Sequence, residues 1–240
     1  MTTTEAPLLS SFHWKLWHGV VLGFLGLLVA GVLAFAIFKP IRVLPRMRLA
    51  PAFALTDQSG RTFTNEDLRG QFVLYDFTYT GCQPPDCTQT NAIMQDVYRR
   101  LGEAQTDGVP VSLVTISFDP ERDTPQKLAA YAQNLGADPE RWHFLTGEPN
   151  RLKSIIGGGF GAYYEPVVPL QEGGAFTFSP TMVLVDGLGI VRAVYNTRTT
   201  LPDADRILRH LGVLGEEVRN SQGMTRLGYE AAHLFLCYAP

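Results

Sequence analysis

The chain has 240 residues, a net charge of −3, and 45% hydrophobic against 18% charged residues, a balance too apolar for a disordered chain and enough for one medium domain with an appendage. The charge is uneven. Up to Arg48 five Lys or Arg face Glu5 alone, and residues 49–240 then carry fifteen against twenty-two, about −7, which argues against a binder of nucleic acid or of an anionic surface. Three cysteines are too few for the disulfide scaffold of a small secreted protein, but two of them stand close enough together for a redox or metal pair.

Residues 16–38, LWHGVVLGFLGLLVAGVLAFAIF, are 23 residues without Asp, Glu, Lys or Arg. At about 1.5 Å per residue they reach roughly 34 Å as a helix, enough for a bilayer core of about 30 Å. Trp14 and Trp17 flank one end, and Lys39, Pro40 and Arg42 the other, as interface anchors do. The competing reading is a cleaved signal peptide, which wants a shorter apolar run followed by small residues rather than Phe38-Lys39-Pro40. Lys39, Arg42, Arg46 and Arg48 outnumber Lys15, which by the positive-inside count keeps the body in the cytoplasm, although long domains cross largely regardless of charge. No arginine precedes Arg42, so a bacterial membrane fits better than a mitochondrial presequence.

Residues 39–50 read as a linker, 51–214 as the folded domain and 215–240 as a C-terminal extension. Ser59-Gly60 marks a turn between two short extended pieces, and Asn65 is the expected N-cap of a helical turn ending at Leu68. Residues 72–77, FVLYDF, suit a central strand covered on both faces. Over residues 88–103, Ile93, Met94, Val97 and Leu101 recur at helical spacing, with Arg99 and Arg100 at the end that favours cations. Residues 111–118 are a second buried strand, and Thr124 followed by Pro125 opens a helix to Leu135. Residues 181–185 and 190–195, joined by Asp186-Gly187-Leu188-Gly189, make a hairpin, and a helix follows over about 203–211. This order demands a right-handed crossover between parallel strands, a thioredoxin-like α/β arrangement.

Cys82 and Cys87 lie in YTGCQPPDCTQT, between the first central strand and the next helix. A thiol at a helix N-terminus is pushed towards thiolate, the form that both disulfide exchange and soft-metal binding require. Pro84-Pro85 stiffens the loop between them, so a disulfide or a two-coordinate Cu(I) is within reach; two inert buried thiols are the plain alternative. Pro180, just before a buried strand in FSPTMVLVD, stands where a cis-proline packs against the cysteine loop in such folds; a trans, strand-initiating proline is the alternative. Asp86, within the cysteine loop, and Asp119, at the end of the second strand, flank the presumed site, and Asp119 reads equally as a supporting acid or as the cap of the turn before Pro120. His143 reads as a packed residue and His210 as a helix C-terminal cation, while His233 and Cys237, four apart, suit either joint ligation or an apolar packing tail.

PAFALTDQSGRTF, DLRG, YDFTYTGC, ISFDPERDTPQKLAAYA and HFLTG together resemble the Sco (SenC) family of membrane-anchored copper proteins, over about residues 51–211 and most specifically in SFDPERDTP. The resemblance implies a thioredoxin fold, one N-terminal anchor with the body outside the cytoplasm, against the charge count, and a role in assembling the binuclear copper site of cytochrome c oxidase. The implied partners are the oxidase's copper-binding subunit or another extracytoplasmic thiol protein, plus the lipid bilayer, and no nucleic acid. Family members hold copper through two cysteines and a distant histidine, and some act instead as thiol-disulfide reductants. Here four residues rather than the usual three separate the cysteines, the histidine position falls on Phe178 or its neighbours, and no histidine occurs between His143 and His210. Two thiolates still suit Cu(I), Cu(II) favours nitrogen donors, and disulfide exchange needs no histidine. The expectations are therefore a Cu(I) carrier using Cys82 and Cys87, or a thiol-disulfide oxidoreductase in which Cys82 attacks and Cys87 resolves. Peroxide reduction is a weaker third, since no arginine is evidently placed beside Thr78 and Thr80.

Overall fold

The structure, a computed structural model, describes residues 10–38, 42–82, 86–167, 176–196 and 203–221, together with Arg226, Tyr229, Glu230 and His233. It divides into two units, Met1–Arg42 and Val43–Pro240. The first contains α1 (Ser10–Phe38), one continuous 29-residue helix. Its described side chains, residues 17–31 and Leu33, are exposed, and among the described residues no helix is long and apolar enough to cross a membrane.

The second unit contains strands β1 (Arg48–Leu49), β2 (Ala54–Asp57), β3 (Thr62–Thr64), β4 (Phe72–Thr78), β5 (Val111–Ser117), β6 (Trp142–Thr146), β7 (Tyr164–Pro166), β8 (Phe176–Phe178), β9 (Thr181–Val185) and β10 (Ile190–Asn196). Its helices are α2 (Asp86–Arg100), α3 (Pro125–Leu135), α4 (Pro149–Leu152) and α5 (Ala204–Asn220). Eight strands form one sheet in the order β1-β10-β9-β4-β5-β6-β2-β3, and β7 and β8 pair separately. β4, β5 and β6 are parallel and are connected through α2 and α3, while β9 lies antiparallel on the other flank of β4. That parallel centre extended by an antiparallel hairpin is the thioredoxin-like arrangement expected.

Every residue of β4 and β5 is buried, because both faces of the sheet are covered. Phe72 and Leu74 pack with Met94 and Val97 of α2, Leu128 of α3 and Leu211 of α5. The alternate residues Val73, Tyr75 and Phe77 pack on the opposite face with Ile155, Ile156 and Phe160. Those three come from a π-helical stretch, Lys153–Phe160, that continues α4 and has no counterpart in the sequence pattern read above.

Helix ends follow local chemistry, with two corrections. α3 starts as expected: Thr124 is the N-cap, accepting the Lys127 N–H at 3.4 Å, and Gly136 closes the helix in the left-handed conformation at φ 70°. The short 3-10 turn Asn65–Leu68, however, is capped by Thr64 rather than Asn65. The Thr64 N–H and hydroxyl both donate to Asp67 Oδ2 at 2.7 Å, which closes a capping box, while Asn65 Oδ1 accepts the Phe53 N–H at 3.1 Å.

α5 runs past Leu211 and past the 214/215 boundary to Asn220. Gly215 does not stop it, because its role is close approach: a Cβ there would lie 2.2 Å from the Gln105 carbonyl oxygen. His210 is consequently inside the helix rather than at its end, 2% exposed, with Nδ1 2.6 Å from the Tyr195 hydroxyl. Burial, reinforced by Arg206 and Arg209, pushes its pKa down to about 4, so packing of a neutral ring and not the helix dipole accounts for it.

Candidate dithiol site

β4 ends at Thr78 and the chain turns immediately, the Cys82 N–H donating to the Tyr79 carbonyl at 3.2 Å. Cys82 is half-buried against the apolar cluster that contains Tyr79, Phe118 and Phe178, and its sulfur is engaged in a disulfide. α2 begins at Asp86, so the backbone of Cys87 lies in its first turn, at the positive end of the helix dipole. The side chains of Asp86 and Cys87, residues 83–85 and Cys237 lie outside the described residues.

Phe178 pairs with Tyr164 in the β7–β8 ribbon, and Phe176, two residues back, presents to the same side. With Tyr79 and Phe118 they make a packed aromatic group: Tyr79 lies 5.0 Å from Phe176 and 6.2 Å from Phe178, and Phe118 5.3 Å from Phe178 and 4.8 Å from a stacked Tyr164. Phe178 is 5% exposed, so a ring without a metal-binding lone pair fills the place where the resemblance leads one to look for an imidazole. Pro180 follows directly. The register Asp76↔Met182 carries it towards the C-terminal end of β4, from which the cysteine loop leaves, and Ser179 is held by its N–H on the Tyr163 carbonyl at 2.9 Å and by the Asn196 amide at 2.8 Å.

Three buried acids sit at this end. Asp119, 2% exposed, accepts Arg122 Nε on Oδ2 at 2.6 Å, and its carbonyl accepts the Asp123 N–H at 2.9 Å, so it both supports a neighbouring cation and closes the turn. Asp123, fully buried, accepts the Thr80 N–H at 2.9 Å and the Ser117 hydroxyl at 2.5 Å on Oδ2, and the Thr80 hydroxyl on Oδ1. Asp76 on β4 accepts the Thr115 hydroxyl at 2.5 Å on Oδ1, while Oδ2 and the nearby Thr78 hydroxyl have no partner among the described residues. Desolvation pushes the Asp76 pKa up to about 7.

Sequence reasoning singled out Asp119, named Thr80 only for peroxide reduction, and passed over Asp123 and Phe176. The signal for Asp123 was present, an acid directly before the Thr124-Pro125 helix start in SFDPERDTP, but nothing local reveals that its side chain turns back to the cysteine loop.

The histidines lie elsewhere. His143 on β6 packs on Phe63 with ring centroids 4.4 Å apart, as expected of a packed residue. His233 Nε2 is 2.9 Å from Glu217 Oε1, and Glu217 also takes Arg192 Nη2 at 2.6 Å. That contact ties His233 to the Asp186 turn, at the other end of the sheet from Cys82, because Val185 pairs with Val73 near the start of β4. Among the described residues no group of three or more His, Cys, Asp or Glu is arranged to hold a metal ion.

Comparison with known proteins completes the picture. A family model described as SCO1/SenC matches residues 43–212. The SCO1 protein homolog of Bacillus subtilis (strain 168) is 33% identical over 95 residues, 40% of this chain and 47% of that protein, so the match spans about half the length of this curated relative. Among solved structures, Bradyrhizobium japonicum ScoI with copper bound is 28% identical, with a TM-score of 0.55, covering 68% of this chain and 99% of that one. BsSco, a Sco-family cytochrome c oxidase assembly protein studied for a disulfide switch, is 26% identical with a TM-score of 0.60, covering 72% and 98%.

Proposed function

The chain belongs to the SCO1/SenC family, and on that premise we propose that it is a membrane-anchored assembly factor for the copper site of cytochrome c oxidase, carrying Cu(I) between the thiolates of Cys82 and Cys87. The observation that carries the reading is the position of Cys82, in a tight turn off the end of β4 and just ahead of the N-terminus of α2, where a thiolate is favoured. Two soft thiolates satisfy Cu(I) without an imidazole, in keeping with Phe178 at the neighbouring ribbon. The cargo passes to the oxidase's copper-binding subunit by exchange of one thiolate ligand for another. This reading gives Pro180, Asp86 and Asp119 supporting roles around the loop and gives none to His233, which is engaged by Glu217.

The proposed anchor rests on the sequence: residues 16–38 carry no Asp, Glu, Lys or Arg over 23 residues and would reach roughly 34 Å as a helix. The body then stands on the extracytoplasmic side of a single-pass protein, where its partner's copper site is assembled.

A second reading, thiol-disulfide exchange, is favoured by the disulfide at Cys82 and by the aromatic group that replaces a nitrogen ligand. The Cys82 thiolate attacks a partner disulfide, forming a mixed disulfide and releasing one partner thiolate. The Cys87 thiolate then attacks the Cys82 sulfur and releases the second, so the partner gains two electrons and this chain ends as the disulfide.

Deleting the gene in its host and measuring oxidase activity tests both readings. Lost activity that returns with wild-type chain, or with added copper salt, but not with Cys82→Ser, supports the copper role; restoration by a small-molecule dithiol and not by copper supports exchange. Undiminished activity, or full rescue by Cys82→Ser, contradicts both.

A further inference from the structure

Buried carboxylates are costly unless hydrogen-bonded, so where such bonds lead is informative. The Asp123 carboxylate lies on the β5–α3 connection, and two of its three hydrogen bonds come from one residue, Thr80, through its N–H at 2.9 Å and its hydroxyl. Thr80 stands two residues before Cys82, inside the turn closed by the Cys82 N–H on the Tyr79 carbonyl. The third bond, from the Ser117 hydroxyl at 2.5 Å, ties the same carboxylate to the end of β5, and Lys127 Nζ approaches Oδ1 at 3.6 Å from the first turn of α3. The neighbouring residue grips the other wall of the site: Arg122, held by Asp119, places its guanidinium 5.9 Å from the centre of the Phe176 ring. One short stretch thus touches both the cysteine turn and the aromatic ribbon.

From this geometry we infer that Asp123 is a positioning residue for the dithiol: it clasps Thr80 from backbone and side chain together, and so holds the Cys82 turn in the geometry that favours the disulfide. The inference rests on the dithiol reading proposed above. A turn bonded at both N–H and hydroxyl cannot shift without leaving a buried acceptor unsatisfied, whereas a freed turn lets Cys82 move away from its partner and lowers the effective concentration of the second thiol.

The test equilibrates the full chain in detergent with mixtures of glutathione and glutathione disulfide, which exchange two glutathione thiols for one protein disulfide, and reads Cys82 by alkylation and peptide mass spectrometry. Asp123→Asn is expected to lower the equilibrium constant for disulfide formation about tenfold. Thr80→Val, which removes one donor and keeps the N–H, lowers it by about threefold, Thr80→Ser restores it, and Lys127→Met leaves it unchanged. Thr80→Val keeps the test open should Asp123→Asn fold poorly. If Asp123→Asn and Thr80→Val reduce thermal stability but leave the constant within twofold of wild type, or shift it towards the disulfide, the positioning role is overturned. A wild-type chain with no reversible disulfide at any glutathione ratio overturns the dithiol reading and the inference with it.

Discussion

Beside the start of β4, Arg192 is 3% exposed and every contact it makes is answered: Nη1 donates to Asp186 at 2.8 Å, Nη2 to Glu217 at 2.6 Å and to the Leu44 carbonyl at 2.7 Å, and Nε to the Pro45 carbonyl at 3.3 Å. Towards and beyond the C-terminal end of β4, the buried groups are acids, among them Asp123, which clasps a turn, and Asp76, with an oxygen left unpartnered among the described residues. Both regions bury charge, and only the second connects it to a reactive side chain. Buried charge is therefore no marker of function by itself. The first network joins the linker after Arg42 to α5, and Arg46 extends it by pairing with Glu230 at 3.0 Å, which is the work of a structural fastener.

The contrast can be broken most severely at Arg192. Arg192→Met leaves Asp186 and Glu217 without their buried cation and is expected to destabilise the fold by about 3–5 kcal/mol in chemical denaturation. The glutathione equilibrium of Cys82 should stay unchanged; a shift in it would mean that the two ends are coupled.

Asp76 comes next. Its pKa is raised by burial from 3.8 to about 7, so the unfolded carboxyl ionises first, and stability falls as pH rises from near 4 to near 7 and then levels off. A shift of about three units corresponds to at most about 4 kcal/mol. Denaturation midpoints of Asp76→Asn should follow a flatter profile across that window, and parallel profiles for variant and wild type would show that the Asp76 carboxyl ionises freely in the fold.

Phe178→His places an imidazole in the aromatic group against which Cys82 packs. It should tighten Cu(II) binding at least about tenfold, about 1.4 kcal/mol, in a chelator competition. No change in affinity would mean that position 178 does not face the sulfurs.

The smallest effect belongs to the residue after Asp123: Thr124→Ala removes the α3 cap, whose bond is long at 3.4 Å, at a cost of about 0.5–1 kcal/mol in thermal unfolding.

What could be read in advance depended on range. FVLYDF and VSLVTISF declare buried strands by composition, and Thr124-Pro125 declares a helix start, because the responsible interactions lie within a few residues. α5 runs beyond the expected end at Leu211 because what looks like a terminal pair, Arg209 and His210, lies inside the helix, and Gly215 serves its close approach to the Gln105 carbonyl across the packing interface. Asp123 escaped notice likewise, since its partner Thr80 is 43 residues away in the chain. Two neighbouring cysteines and the absence of a histidine between His143 and His210 are legible because they are matters of residue identity; the aromatic group around Phe178 is not, because it is assembled by the β7–β8 ribbon.

The central claim, that two cysteines suffice to carry Cu(I) in this chain, is tested most directly by an anaerobic Cu(I) competition titration of the reduced full-length protein in detergent beside its Cys82→Ser/Cys87→Ser double variant. The account predicts tight binding of one Cu(I) per chain that the double variant loses. Binding that is weak, or that survives the double substitution, would contradict the copper role and leave disulfide exchange as the function of the site.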